Sequence, residues 1–293
     1  MSPIQTDARV LHSSDGTVIY AEATGSAHNP HVVLLPGLTL SGCVYDDLCA
    51  DPQLLDTLYI VRYDMRGHGR SGKPTTAEAY ASKMWADDFK TVVDAFALHK
   101  PVLVGWSMGA SVATDVVAHL PPATLSGVIY LSGLPCTGEL LSELVAPDLA
   151  VALPGLLSKD DVPAFQASAA IFADKLFAQP DKVPYGVKCL YMGHSLTPEI
   201  MGLNLTRAMD VQALWNAGMD GLPLLILQGT LDAHRVAFNV KTVADVVKPH
   251  FKNLETVWFE GRGHALHYEC PKDVVHHLIR FTKQVGGKDY RAA

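Results

Sequence analysis

Residues 102–111 read VLVGWSMGAS, an apolar run that ends in the pattern G-x-S-x-G and leads into a helical pattern. A serine at the tip of a tight strand-to-helix turn forces a strained backbone, so its close neighbours must be small. Gly105 and Gly109 meet that need because they carry no side chain. The helix start also directs backbone N–H groups toward an anion that forms at the serine. The stretch therefore predicts that Ser107 is a nucleophile presented on such a turn.

Apolar runs of strand length recur along the chain and alternate with helical patterns. The predicted strands cover residues 31–35, 58–63, 101–105, 127–131, 223–229 and 255–259, and a hairpin joins residues 9–12 to residues 17–23. The predicted helices cover residues 86–98, 107–119 and 271–285. This alternation predicts an α/β fold, in which helices cover both faces of a mostly parallel sheet.

The alternation stops in one long segment, residues 135–222, which is rich in Ala, Leu, Phe and Met and contains no convincing strand. Residues 161–179 and 197–217 within it have helical patterns. We therefore predict a core domain formed by residues 1–134 and 223–293. The segment between them is predicted to form a helical cap inserted over one edge of the sheet.

A serine nucleophile needs a base, and the base needs an acid that orients it. His264 lies on a glycine-rich loop that follows the last predicted strand. Asp232 comes just after the strand predicted over residues 223–229, at the end of the strand where such sheets collect their sites. His267 lies one helical turn beyond His264 and is assigned to packing or capping. The chain order of nucleophile, acid and histidine then predicts a triad of Ser107, Asp232 and His264.

Two backbone N–H groups are predicted to bind the oxyanion that forms at the serine. Gly37 allows a turn after the strand at residues 31–35, and this places the Leu38 N–H toward the site. The Met108 N–H, next to the nucleophile, is the second predicted donor. Residues 64–71 read DMRGHGRS and offer another carboxylate and histidine, but such a loop is more typical of internal hydrogen bonding, so we assign it a structural role.

Bulky apolar residues of the insertion predict a pocket for a medium-sized, largely apolar acyl or ring group. From composition and position we assign Phe172 and Met192 to this pocket, together with Trp106 of the serine turn. The same kinds of residue also form the core of a helical segment, and the sequence leaves that choice open.

Composition argues against several other classes of function. The net charge is −7 and there is no basic run, so the electrostatic footprint of a nucleic-acid binder is missing. The first residues lack the features of a secretory signal, and no apolar stretch approaches the roughly 20 residues that cross a bilayer. The five cysteines form no CxxC pair, so neither a zinc site nor a disulfide framework is predicted. We predict a cytoplasmic protein that acts on a small molecule without a metal, and we leave its oligomeric state open.

Together these motifs resemble those of the α/β-hydrolase superfamily over nearly the whole chain. The matching segments are residues 35–37, 64–71, 105–109, 229–232, 263–264 and 269–271. The resemblance implies an eight-stranded sheet, a helical cap after the sixth strand, no cofactor and ester-type hydrolysis, with Ser107, Asp232 and His264 at the triad positions. One departure is Pro36-Gly37, where this superfamily commonly has His-Gly. Relatives that hydrolyse epoxides or haloalkanes carry aspartate at the position of Ser107, so neither activity is predicted here.

The function predicted from the sequence is serine hydrolysis of an ester or lactone through an acyl-enzyme, of the carboxylesterase or lactonase type. Two alternatives use the same triad: a cofactor-free haloperoxidase or perhydrolase, and a carbon–carbon bond hydrolase. Another is a non-catalytic binding protein or receptor that keeps the hydrolase fold. The usual signature of such a receptor is a broken triad, whereas the predicted triad is complete.

Overall fold

The structure is a computed structural model that describes residues 6–138, 147–193, 197–234 and 242–286. Eight strands form one sheet in the order β1-β2-β4-β3-β5-β6-β7-β8. They are β1 Asp7–His12, β2 Val18–Thr24, β3 His31–Leu35, β4 Tyr59–Tyr63, β5 Val102–Trp106, β6 Gly127–Leu131, β7 Leu224–Gly229 and β8 Leu254–Phe259. The pairs β1–β2 and β2–β4 are antiparallel and all other pairs are parallel. The predicted α/β fold with an eight-stranded, mostly parallel sheet is confirmed.

Helices cover both faces of this sheet. Alternate strand residues point to opposite sides, and both sides carry apolar side chains that must be buried. Val33 and Leu35 of β3 belong to one buried cluster, and Val32 and Leu34 belong to the other. The helices are α1 Asp46–Cys49, α2 Pro52–Thr57, α3 Ser82–Ala95, α4 Val112–His119, α5 Pro147–Ala150, α6 Leu153–Leu156, α7 Val162–Asp174, α8 Tyr185–Gly193, α9 Pro198–Leu205, α10 Val211–Met219, α11 Val243–Val247, α12 Leu266–Glu269 and α13 Pro271–Gly286. Helices α3, α4 and α10 pack on the first face, and α1, α2 and α13 pack on the second.

The helical pattern over residues 197–217 corresponds to two helices in the structure. Helix α9 ends at Leu205, and α10 begins at Val211 after a break. The Asp210 side chain accepts a hydrogen bond from the Ala213 N–H and so caps the second helix. Within the break, Arg207 turns inward to a buried carboxylate, which a residue on a continuous exposed helix face could not do.

The described part of the segment over residues 135–222 consists of helices and turns and contains no strand. One of these helices, α10, packs against α4, and its Leu214 and Trp215 belong to the same buried cluster as the sheet. We therefore regard α10 as part of the helical layer on the sheet. That the rest of the segment forms a cap domain stays a prediction.

The loop over residues 64–71 has the internal hydrogen bonds of a structural loop. Buried Asp64 accepts hydrogen bonds from the N–H groups of Gly42 and Arg70, at 2.7 and 2.8 Å. Arg66 is fully buried and binds both carboxylate oxygens of Asp88, at 2.6 and 2.7 Å. No helix in the described ranges combines the length and apolar character that crossing a membrane requires.

Two buried histidines should make the protein less stable as the pH falls. Burial lowers the pKa of His68 to about 4 and that of His267 to about 3, from an ordinary value of 6.5. Below pH 6.5 the unfolded chain therefore binds protons that the folded chain does not bind. The stability from keeping these rings neutral is complete above pH 6.5, and it is lost as the pH falls toward 4. Each histidine adds up to about 1.4 kcal/mol per pH unit to that loss.

Urea unfolding of wild type and His267→Phe at pH 7 and pH 4.5 measures this effect. Phenylalanine keeps an aromatic ring beside Trp106 and Tyr45 but has no group to protonate. We expect the free energy of unfolding to fall by about 2–3 kcal/mol less in the variant than in wild type over this range. Equal losses in the two proteins would contradict the role assigned to His267.

Candidate active site

Ser107 lies at the end of β5, on a turn that the surrounding backbone makes very tight. Its φ is 52°, in the left-handed region that only glycine adopts without strain, and a 3₁₀ helix over Ser107–Ser111 begins at this residue. A Cβ on Gly105 would overlap the Ala110 backbone, and one on Gly109 would overlap the Pro36 carbonyl oxygen. Both glycines of the G-x-S-x-G pattern are thus required by packing.

Asp232 and His264 form a buried pair at the same end of the sheet. The Nδ1 atom of His264 lies 2.8 Å from Asp232 Oδ2, and neither side chain is exposed to solvent. The carboxylate also accepts hydrogen bonds from Gln228 Nε2 at 2.7 Å and from the His234 N–H at 2.8 Å. Because a carboxylate only accepts hydrogen bonds, His264 Nδ1 carries the proton and Nε2 presents a lone pair. An imidazole held in this way is ready to act as a base.

His264 Nε2 is the ring nitrogen that remains to act on Ser107, because Nδ1 is bonded to Asp232. His264 Nε2 is buried and has no hydrogen-bond partner among the described residues, so it is not bonded to the Ser107 hydroxyl in this structure. Catalytic hydrogen bonds of this kind often form fully only when substrate binds. Ser107, Asp232 and His264 follow β5, β7 and β8, whose carboxyl ends meet at one edge of the sheet. Their role as a catalytic triad stays a prediction.

A small cavity of about 40 Å³ lies beside Ser107 and is mostly apolar. Core residues contribute one wall, and residues of the 135–222 segment contribute the other. The core wall is formed by Leu38, Met108, Leu134 and His234, and the opposite wall by Thr137, Leu149, Leu153, Phe172 and Leu205. Half of the residues that line the cavity therefore come from the inserted segment, residues 135–222.

The loop that carries the first predicted oxyanion donor lies directly against the nucleophile. A Cβ on Gly37 would be 3.4 Å from Ser107 Cβ, and Leu38 lines the cavity. Met108 is in the first turn of the 3₁₀ helix, where an N–H has no acceptor within the helix. The two residues flank the serine, as a pair of oxyanion donors must, and their role stays a prediction.

Of the three residues predicted for the pocket, Phe172 lines the cavity, whereas Trp106 and Met192 do not. Trp106 is the last residue of β5, and the alternation of side chains along the strand directs it to the second face of the sheet. It is fully buried there in the cluster on that face. Its Nε1 donates to the His264 carbonyl oxygen at 2.9 Å, so it supports the loop of the base. Met192 packs against the same cluster, away from the cavity.

His267 occupies the packing position that the sequence predicts for it. It is buried, its Nε2 is 3.0 Å from the Tyr191 hydroxyl, and its ring lies edge-on to Trp106 at 4.4 Å between centroids. No group of three or more His, Cys, Asp or Glu residues in the described ranges is arranged to hold a metal ion.

Sequence reasoning did not identify His234, which contacts the predicted base directly. Its ring stacks on that of His264 at 4.3 Å between centroids, with an angle of 13° between the planes. Its Nε2 lies 3.3 Å from the Phe172 carbonyl oxygen and its ring packs edge-on to the Phe172 ring. The available signal was its position two residues after Asp232, on the loop that already carried the predicted acid.

Over part of its length, the chain is similar in sequence to curated proteins. The chain is 36% identical over 104 residues to "Probable oxidoreductase EphD" of Mycobacterium tuberculosis, a match that covers 36% of this chain and 17% of that protein. It is 31% identical over 99 residues to 2-(acetamidomethylene)succinate hydrolase of Mesorhizobium japonicum, which covers 34% of each chain. These matches therefore span much less than half of either curated relative.

A solved structure and a family model cover far more of the chain. The esterase RhEst1 from Rhodococcus sp. ECU1013 superposes with a TM-score of 0.83 at 25% identity, over 95% of this chain and 99% of that chain. The sequence model described as "Alpha/beta hydrolase family" matches residues 32–277. With that match and the strand order, serine turn and buried histidine–aspartate pair described above, the chain belongs to the alpha/beta hydrolase family.

Proposed function

We propose that this α/β-hydrolase enzyme is a serine hydrolase that cleaves an ester or lactone through an acyl-enzyme. The observation that carries the proposal is the buried Asp232–His264 pair, in which Nδ1 of the histidine is bonded to the carboxylate and Nε2 has no hydrogen-bond partner among the described residues. Ser107, on its strained turn, is the nucleophile that this base would serve. Similarity to an esterase of known structure supports the reaction class.

The proposed reaction has two halves that share one base. His264 Nε2 takes the Ser107 proton as the oxygen attacks the carbonyl carbon, and the N–H groups of Leu38 and Met108 hold the resulting oxyanion. His264 then gives the proton to the leaving alcohol, and an acyl-enzyme forms. In the second half His264 activates a water that releases the acid. Asp232 keeps the proton on Nδ1 and stabilises the charged imidazole during both halves.

The lining of the cavity supports an apolar acyl or ring group as the part of the substrate next to Ser107. Pockets for drug-sized ligands commonly measure about 300–1,000 Å³, whereas this cavity measures about 40 Å³. A medium-sized substrate therefore requires side chains of the inserted segment to move aside. We propose that this segment selects the substrate, as a carboxylesterase or lactonase cap would.

Labelling with a fluorophosphonate tests the proposed function. Mass spectrometry of the labelled protein should find the adduct on Ser107, and a screen of esters and lactones of varied chain length should then find turnover. An adduct on a different residue, or no adduct at all, would refute the proposal. Peracid formation or bromination with peroxide, exceeding the ester turnover, would favour the perhydrolase alternative instead.

Replacing Phe172 by alanine should change which substrates are preferred. Phe172 lines the cavity next to His234, so its loss makes room for a bulkier acyl group. A change in fit of about a methylene or more alters kcat/KM roughly ten- to two-hundred-fold, so the ranking of a chain-length series should shift by this amount. The measurement is kcat/KM for each ester of the series.

Met192→Ala is the matched control, because Met192 belongs to the same segment but packs away from the cavity. Its ranking of substrates should equal that of wild type. The rate of fluorophosphonate labelling should change little in either variant, since a small probe barely uses the pocket. An unchanged ranking in folded Phe172→Ala would show that this wall does not contact substrate.

A further inference from the structure

Arg207 lies in the break between α9 and α10. It forms a buried ion pair with a residue of α4, the helix that follows the nucleophile turn. Its side chain is 1% exposed, and Nη1 lies 2.7 and 2.6 Å from the two carboxylate oxygens of Asp115 in α4. The guanidinium also lies over the Trp85 ring at 4.2 Å. Burying an ion pair costs desolvation energy and seldom adds net stability, but the bonds of the pair hold the groups that it joins in a fixed geometry.

The same arginine reaches the serine turn through one hydroxyl group. Arg207 Nη2 donates to Ser111 Oγ at 2.8 Å, and Ser111 Oγ donates in turn to the Met108 carbonyl oxygen at 2.7 Å. A hydroxyl that accepts a bond from a cation is polarised and donates more strongly. The chain of bonds thus runs from the inserted segment to the residue directly after Ser107.

We infer that Arg207 and Ser111 are positioning residues that hold the nucleophile turn, and with it the Met108 N–H, in the geometry for the reaction. The inference rests on the proposed function of Ser107. The bond from Ser111 holds the Met108 carbonyl, which restrains the first turn of the 3₁₀ helix and so steadies the Met108 N–H in the peptide just before it. Misplacement by about 1 Å can cost a hundred-fold in rate, so a turn that is strained in this way needs such support.

The link also couples the wall of the cavity to the reacting groups. Leu205, two residues before Arg207, lines the cavity, and its carbonyl oxygen accepts a hydrogen bond from the Gly138 N–H. The ion pair therefore anchors the part of the inserted segment that touches both the cavity and α4. A change at Arg207 acts on the nucleophile turn from a segment that contributes none of the predicted triad.

Ser111→Ala tests the link without breaking the ion pair, and Ser82→Ala is its matched control. Ser82 Oγ donates to the same Asp115 carboxylate at 2.7 Å, but it lies at the start of α3 and does not touch the serine turn. We expect Ser111→Ala to lower kcat and the rate of fluorophosphonate labelling together by about ten-fold, less than the loss of a whole oxyanion donor. KM should be unchanged, and Ser82→Ala should keep kcat within roughly two-fold of wild type.

Arg207→Lys provides a second, independent variant. Lysine keeps a charge for Asp115, so the protein should fold, but an ammonium cannot bridge the carboxylate and Ser111 as a guanidinium fork does. Its labelling rate should fall about as far as that of Ser111→Ala, and the double variant should be no slower than either single variant, since all three break one chain of bonds. Melting temperatures measured alongside show how much stability each change removes.

The outcomes separate this inference from the proposed function. Wild type labelled on Ser107 together with Ser111→Ala labelled at the wild-type rate would overturn the inference and leave the proposed function standing. Equal losses of kcat in Ser111→Ala and Ser82→Ala would also overturn it, because the effect would then come from the ion pair as a whole. Wild type that does not label on Ser107 would refute the proposed function, and the inference with it.

Discussion

Replacing Ser107 by alanine is expected to lower ester turnover on the order of a million-fold, the loss that follows removal of a triad nucleophile. Ser107 offers a hydroxyl at the tip of the β5 turn, on the wall of the cavity that His234 and Phe172 also line. The fold should be retained, since alanine removes one hydroxyl and keeps the Cβ that the turn already accommodates. Initial rates with the best ester from the screen, and a thermal unfolding curve, measure both expectations.

Ser132→Ala is the matched control for this experiment. Ser132 follows β6 as Ser107 follows β5, is fully buried, and also has a positive φ, of 47°. Its hydroxyl has no hydrogen-bond partner among the described residues, and unlike Ser107 it is not among the residues that line the cavity. Its variant should turn over substrate within about two-fold of wild type. Retention of even a tenth of wild-type rate by Ser107→Ala would refute the assignment of the nucleophile.

Asp232→Asn is expected to lower kcat roughly ten-thousand-fold, as the loss of the orienting carboxylate does in serine proteases. An amide in place of the carboxylate can present its NH₂ group to His264 Nδ1. The imidazole proton then moves to Nε2, which can no longer accept the serine proton. The change reverses the direction of the 2.8 Å hydrogen bond between the two buried side chains, so that residue 232 donates and His264 Nδ1 accepts. KM should change little, since Asp232 is fully buried and lies outside the cavity lining.

The double variant Ser107→Ala with Asp232→Asn provides the check on this second result. Residues that act as one unit lose activity together, so the double variant should be no slower than Ser107→Ala alone. A further large loss in the double variant would show that Asp232 acts independently of the serine. A kcat of Asp232→Asn close to that of wild type would mean that another group orients His264.

The strands and the serine turn could be predicted closely from the sequence. The strand predicted over residues 127–131 has these bounds in the structure, and the run at residues 101–105 is displaced by one residue. Central parallel strands are buried on both faces, so each one leaves a continuous apolar run bounded by glycine or proline. The need for glycine on either side of Ser107 can also be predicted, because a side chain at these positions would overlap nearby backbone atoms.

The helices and the buried contacts of the inserted segment are much harder to predict from the sequence. It is rich in Ala, Leu, Phe and Met, and its helical pattern continues across the break at Arg207, where the structure ends one helix and begins another. Composition and position predict a pocket role for Trp106 and Met192, whereas both pack into the cluster on the second face of the sheet. Burial alone does not tell which cluster a large apolar side chain joins.

By itself the sequence determined the elements whose cause is local: the strand runs, the serine turn, and the loops that place Asp232 and His264 after their strands. Only the tertiary structure decided which residues line the cavity, that His234 stacks on His264, and that Arg207 reaches Ser111 across 96 residues of chain. The conformation of a turn depends on steric contacts between neighbouring residues, so a few adjacent residues are enough to predict it. A cavity wall or a buried ion pair depends on how distant segments pack together, and the energy of that packing is shared among residues that no short stretch contains.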